Sequence, residues 1–323
     1  MKIFPEISPK FKLIYRNPLN LVYLKLILAT LIWGGTFIAG RIAVQDMGVF
    51  SIAFLRFTIA TLLLFAINAH RGQSITKLTP KEWIGIVFLG LTGIFAYNAF
   101  FLGGLKLLPA SRASLIVALN PIAIALSSAL IFRESLSKPK LFGILISLIG
   151  VSIIVSKGNP IDLIKTGIGT GDLLLFGCVA SWVSYTLIAK QVLKTVSNLT
   201  ATTYSCLIGS LTLLPIALQE GLLSDLPKLS LNAAFSTIYM GVLGTVVAFL
   251  WYSEGIRKLG TSRTAIFTNL VPTTAVLMGV FGFGEPFTSS IALGGALVIG
   301  GVLCTNLSST NLSSPNPIKS KSI

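Results

Sequence analysis

The sequence predicts an all-α integral membrane protein of ten transmembrane helices, arranged as two inverted five-helix repeats. Three observations predict it. Of 323 residues, 53% are hydrophobic and only 11% charged, against about 25% charged in a soluble domain, and the mean hydropathy is +0.85. The apolar residues fall into runs close to the roughly 20 residues a span needs. The chain also matches itself when shifted by half its length.

The runs are Leu21–Val44, Val49–Ala69, Trp83–Leu105, Pro109–Phe132, Leu141–Val155, Gly171–Leu193, Leu199–Leu218, Leu231–Trp251, Ser262–Phe283 and Phe287–Cys304. The fifth and tenth are short, which less tilt or flanking residues accommodate. Barrel strands alternate apolar and polar residues, and runs such as Leu141–Val155 and Ile291–Cys304 do not. The first run is too long for a signal-peptide core and is read as a retained span. Residues 1–20 then form a cytoplasmic tail, 21–155 the first repeat, 156–170 a linker and 171–304 the second repeat. Residues 305–323, rich in Ser, Asn, Pro and Lys, read as a disordered cytoplasmic tail.

The net charge of +15 does not point to nucleic acid, because the basic residues sit in short gaps between runs and lack interleaved aromatics. With a cytoplasmic N-terminus, 17 Lys and Arg fall in inside segments and 6 in outside segments. Both termini are therefore expected on the cytoplasmic side of a cell membrane. Asn306 and Asn311 match a glycosylation acceptor pattern but lie inside on this topology. Cys178, Cys206 and Cys304 are far apart within apolar runs, and the single histidine, His70, lies in a polar gap. They make neither a disulfide frame nor a metal site, and no cofactor is expected.

The repeat is the most specific signal. At a shift of 151 residues Gly104 meets Gly255, Leu108 meets Leu259, Ser111 meets Ser262 and Arg112 meets Arg263. The register continues through Pro121 with Pro272, Glu134 with Glu285, Gly143 with Gly294 and Gly150 with Gly301. Upstream, Gly90 and Gly93 meet Gly241 and Gly244, and across a small gap Trp33 meets Trp182 and Arg41 meets Lys190. Apolar composition aligns Leu with Leu by chance, but not Pro, Arg, Glu and several Gly in one register. Five spans per half is odd, so the halves enter the membrane from opposite sides. That is the arrangement of secondary carriers, in which exchanging the halves' conformations exchanges inward-open for outward-open. A duplicated scaffold without transport is the alternative.

Residues 104–114 (GLKLLPASRAS) with Pro121 and Glu134, and 255–265 (GIRKLGTSRTA) with Pro272 and Glu285, resemble the repeated signature of EamA-type transporters of the drug/metabolite transporter superfamily. The opening Trp33-Gly-Gly-Thr-Phe37 fits as well, and the resemblance runs from about Leu21 to Cys304. It implies ten helices in inverted repeats with a central cavity, lined by the third and eighth helices with the fourth and ninth beside the path. Similar proteins move amino acids, metabolites or xenobiotics, often outward.

Polar and aromatic side chains inside spans are costly unless they face the protein or a wet cavity. That selects Trp33, Thr36, Arg56, Tyr97, Asn98 and Asn120 in the first half, and Trp182, Ser184, Tyr185, Tyr204, Trp251, Thr268 and Asn269 in the second. The pseudo-symmetric Trp33 and Trp182 either line opposite cavity walls or anchor at the interface. Arg56 either holds a carboxylate or phosphate or snorkels to the outer interface. Through the resemblance, Tyr97, Asn98 and Trp251 are expected at the cavity. Asn120 and Asn269 face the path or join helices. The expected substrate-binding set is Trp33, Thr36, Arg56, Tyr97, Asn98, Asn120, Trp182, Tyr185, Trp251 and Asn269. Pro121 and Pro272 interrupt the backbone ladder of equivalent helices, as hinges or as static kinks. Glu134 and Glu285 are gate or packing residues.

No acidic residue lies at mid-span, which favours facilitated diffusion or exchange over a proton relay. A proton-coupled drug or xenobiotic efflux carrier, working through Glu254 or a glutamate at a helix end, is the alternative. A membrane enzyme needs a nucleophile with its base, a metal cluster or paired carboxylates, which are missing here. A channel needs a filter-like loop or a ring of charges, and none is found. The expected partners are a neutral or zwitterionic small molecule such as an amino acid and the lipid bilayer, with the chain acting as a monomer or homodimer.

Overall fold

The computed structural model describes residues 18–70, 78–132, 138–156, 158–159, 168–259, 264, 267–268 and 270–310. Among them the regular structure is helical: α1 (Pro18–Asp46), α2 (Val49–His70), α3 (Pro80–Leu107), α4 in two pieces (Ala110–Val117 and Asn120–Phe132) and α5 (Lys138–Val155). Then come α6 (Thr170–Val192), α7 (Asn198–Glu220), α8 (Leu231–Leu259), α9 (Leu270–Gly282) and α10 (Ser289–Thr310). Six of these (α1, α2, α3, α6, α7 and α8) are long and apolar enough to cross a membrane, and shorter apolar stretches lie in α4, α5, α9 and α10. Leu62, Phe88, Phe142, Leu211 and Phe281 project from helix surfaces. In water such apolar flanks would cost heavily, and in lipid they are the natural exterior. The protein is a multi-pass membrane protein.

Local chemistry sets the helix ends. At the start of α3, the Thr79 amide donates to the Glu82 carboxylate at 2.8 Å while the Thr79 hydroxyl accepts from the Glu82 amide at 3.4 Å. This is a capping box that satisfies two otherwise orphaned donors. Ser197 and Ser230 cap α7 and α8 in the same sense. α7 ends at Gly221, whose φ of 103° is a left-handed stop that glycine adopts without a Cβ penalty.

The long helices are irregular where the repeat carries glycine. α3 widens to a π-turn over Gly90–Ala96, and α8 does so over the equivalent Met240–Val247. A β-carbon on Gly93 would enter the Tyr185 ring, and one on Gly244 would overlap Thr36, so both helices lie hard against their neighbours. α4 is not the continuous helix expected over Pro109–Phe132. It breaks at Ala118–Leu119, where Leu119 bonds back three residues to the Ile116 carbonyl. Pro121 has no N–H for the Val117 carbonyl, so the ladder cannot close there. In α9, Pro272 lies in the first turn of the piece Leu270–Leu277.

α5 and α10 pack antiparallel through small residues. A β-carbon on Gly150 would meet the Gly294 carbonyl, and one on Gly301 would meet that of Gly143. Ser147 adds a 3.1 Å bond to the Val298 carbonyl. Since the repeat equates Gly143 with Gly294 and Gly150 with Gly301, it converts each of these glycine contacts into the other. Only an inverted relation between α5 and α10 does this.

One face of the bundle, where α1, α3, α7 and α9 end, is held by polar ties. Asp46 accepts from the Ser230 amide at 3.0 Å, and Glu220 accepts from the Ser51 amide at 2.9 Å. Arg112 meets Asp172 through two bonds of 3.0 and 2.8 Å, in the fork geometry that suits a guanidinium and a carboxylate. On the opposite face Glu254 joins Lys25 at 2.7 Å and Lys258 at 2.6 Å.

Candidate functional site

Near the middle of the bundle lies a cavity with about 50 Å³ of space for the centres of water-sized molecules. Its wall comes from both halves: Trp33, Thr36 and Phe37 of α1, Arg56 of α2, Tyr97 and Phe101 of α3, and Ser114, Val117, Ala118 and Asn120 around the α4 break. The second half adds Trp182 of α6, Phe249 of α8, and Thr268, Val271 and Pro272 at α9. The break that Pro121 causes therefore sits at the wall and brings Asn120 to it.

Aromatic rings dominate. Trp33 and Trp182 meet edge to face with centroids 5.7 Å apart and planes at 86°. Phe249 stands at 5.8 Å from Trp33 and 5.9 Å from Trp182, again edge-on to both. Edge-to-face contact brings the positive rim of one ring to the negative face of the next. Tyr97 lies 5.2 Å from Trp182 and stacks on Phe101, at 5.6 Å and 16°. The Trp33 indole donates to the Gly244 carbonyl at 2.8 Å, which ties α1 to the π-turn of α8. Both tryptophans are buried, so interfacial anchoring does not explain them.

Arg56 does not snorkel. It is 3% exposed, and its side chain runs inward from α2 to α3 and α8. Nε donates to the Thr245 hydroxyl and Nη1 to the Asn98 carbonyl oxygen, each at 3.0 Å. Those acceptors are fixed by the π-turns. The Asn98 amide donates to the Ile94 carbonyl at 2.8 Å, and the Thr245 hydroxyl donates to Met240 at 2.9 Å. A π-turn displaces backbone carbonyls from the regular ladder, and these two side chains bond to such carbonyls while turning their own oxygens to Arg56.

Of the expected binding residues, Trp33, Thr36, Arg56, Tyr97, Asn120 and Trp182 line the cavity, together with Pro272. Three do not. Asn98 is behind Arg56 and supports it. Tyr185 is not in the wall but stacks on Trp182, at 5.2 Å and 26°. Trp251 is half-buried against the core away from the wall, because α8 turns Phe249 and Tyr252 inward instead. Thr36 spends its hydroxyl on the Trp33 carbonyl at 2.6 Å. Asn269 and Glu134 lie outside the described residues. Glu285 is not among the cavity-lining residues and bonds across the halves: its carboxylate accepts from the amides of Ala110 at 2.9 Å and Ser111 at 3.0 Å, with Arg41 at 4.0 Å. Arg41 also donates to the Leu108 carbonyl.

Sequence reasoning missed Phe37, Phe101, Phe249 and Tyr252. A signal existed for two of them, because the register that pairs Gly104 with Gly255 also pairs Phe101 with Tyr252. Nothing marked Phe249 apart from other apolar residues, and its equivalent is the polar Asn98.

Among the described residues no group of three or more His, Cys, Asp or Glu is placed to hold a metal. The acidic residues described sit at helix ends and are engaged there: Asp46, Glu82, Asp172, Glu220, Asp225, Glu254 and Glu285.

The chain is 29% identical over 283 residues to the uncharacterized transporter YyaM of Bacillus subtilis, covering 87% of this chain and 92% of that one. It is 25% identical over 281 residues to the "Probable terminal-alkyne amino-acid exporter" of Streptantibioticus cattleyicolor, with coverage of 87% and 92%. A crystal structure with 22% identity shares the fold, with a TM-score of 0.65 over 91% of this chain and 99% of its own. The EamA-like transporter family matches residues 20–156 and again residues 169–307. The chain is a membrane transporter and belongs to the EamA-like transporter family.

Proposed function

We propose that the protein carries a small metabolite such as an amino acid by alternating access, with two inverted five-helix halves rocking about the central cavity. One observation carries this reading: a mid-bundle cavity whose wall joins Trp33 of the first half to its repeat equivalent Trp182 of the second. A site shared by two inverted halves opens to one side or the other as the halves tilt. The name of the Streptantibioticus relative supports an amino acid as cargo and export as direction. Ten spans with both termini cytoplasmic in a cell membrane complete the proposal, in line with the Lys and Arg distribution.

The described acidic residues at helix ends are engaged in caps and ion pairs, which favours a facilitative or exchange mechanism over a proton relay. The test is counterflow into liposomes holding the purified protein, with pooled labelled amino acids and with or without a pH gradient. Saturable uptake driven by trans substrate alone is the expected result. Uptake that appears only with the gradient contradicts the facilitative mechanism, and uptake that never saturates contradicts a carrier.

A further inference from the structure

We infer that the cavity is a carboxylate site, in which the Arg56 guanidinium is the counter-charge for a monocarboxylate and selects against cations. The inference rests on the carrier reading above and adds the class of cargo.

Arg56 is charged at any physiological pH, and it is 3% exposed at the cavity wall. Its two acceptors, Asn98 and Thr245, are neutral. Among the described residues no carboxylate forms an ion pair with it, and Nη2 has no hydrogen-bond partner. A guanidinium carries five N–H donors, so most of its fork is left for something else. A buried cation kept only for packing would cost desolvation that two neutral hydrogen bonds and the Phe57 ring, 5.0 Å from the guanidinium carbon, offset only in part. Proteins pair such a group, and here the described chain supplies no pairing charge.

The repeat sharpens the point. It duplicates structural residues, the glycines, prolines and helix-end glutamates, but it does not duplicate Arg56. The corresponding stretch of α7 is Ser205-Cys206-Leu207. Arg56 is thus supplied by one half alone, and a ligand that pairs with it is held from that side of the cavity. The π-turns hold the Arg56 acceptors in place, so the fork is presented in a fixed direction and can take a planar carboxylate in bidentate fashion. No other Lys or Arg is among the described wall residues, so they balance one negative charge and not a phosphate dianion.

Asn120 provides a second handle. It is 7% exposed at the wall, and its Oδ1 is enclosed without a hydrogen-bond partner. An amide can turn over to present donor or acceptor, which suits an amino or hydroxyl substituent on the acid. The rings of Trp33, Tyr97, Trp182 and Phe249 receive the apolar remainder.

The test is counterflow in liposomes of the full-length chain with three labelled sets: neutral L-amino acids with simple monocarboxylic acids, the methyl esters of both, and the amines left by decarboxylating the amino acids. Saturable exchange is expected for acids only. Arg56→Gln should raise their half-saturating concentration by about 10- to 100-fold, with Arg56→Lys recovering part of the loss. Thr245→Val, which leaves the charge but frees Nε, should weaken acids without admitting esters, as befits a positioning residue. The acid-against-ester comparison uses the unaltered chain, so it stands even if Arg56→Gln does not fold. Esters or amines exchanged as well as acids, or acid exchange unchanged in a folded Arg56→Gln protein, overturns the inference and leaves the carrier standing. No saturable exchange in any set overturns both.

Discussion

Trp33 and Trp182, equivalent residues of the two halves, touch edge to face across the centre of the molecule, 5.7 Å between centroids. Each also borders Phe249 and Tyr252. The pair is thus both part of the cavity wall and a contact between the halves. Aromatic pairs of this geometry contribute about 0.5–1.5 kcal/mol beyond burial. A double-mutant cycle of Trp33→Leu and Trp182→Leu, read by denaturant unfolding in detergent, should return a coupling energy in that range. Each single substitution should also lower substrate affinity, because each removes wall area. Additive stability effects would show that the contact is incidental.

Glu285 of the second half accepts hydrogen bonds from two amides at the start of α4 in the first half. A carboxylate at a helix N-terminus is favoured by the partial positive charge there, by about 0.3–1 kcal/mol and up to about 2 when partly buried. Glu285→Gln keeps the shape and loses the charge. The face that Glu285 ties should then open more often. A cysteine placed at Ser114, in the cavity wall and in a background without the native cysteines, should react about 2- to 30-fold faster with an impermeant maleimide from that face. An unchanged rate would assign Glu285 to packing alone.

α5 and α10 touch through glycines, so added volume has no place to go. Gly150→Leu should lower stability by about 1–3 kcal/mol through overpacking, with a matching fall in melting temperature. Leucine at Gly300, where nothing lies within 4 Å of an added β-carbon, is the control and should be close to neutral. Equal effects at both positions would contradict the packing described.

Much of this was legible in the sequence because membrane insertion writes itself into composition and because the repeat pairs residues that apolar chance does not pair. Gly143 with Gly294 and Gly150 with Gly301 were visible as equivalents, and the structure brings the two pairs into one interface. Trp33, Arg56, Tyr97 and Trp182 were visible at the site because aromatic and polar groups inside a span stand out against leucine. The direction in which a side chain points was less legible. Trp251 and Phe249 are two residues apart, and the π-turn at Met240–Val247 changes the rotation of α8 after it, so Phe249 and not Trp251 reaches the cavity. A π-turn is set by packing such as Gly244 against Thr36, and the repeated glycines mark its place without giving the rotation that follows it. The clasp of Glu285 on α4 was hidden for the same reason, since its acceptor role depends on backbone amides of the other half.

Transport by alternating access requires the halves to part and close. The most direct measurement joins them reversibly: cysteines at Ser111 and Glu285, in a background without native cysteines, linked by a reducible bifunctional thiol reagent in proteoliposomes. Linking should stop counterflow, and reduction should restore it. Undiminished counterflow through fully linked protein would contradict alternating access between these halves.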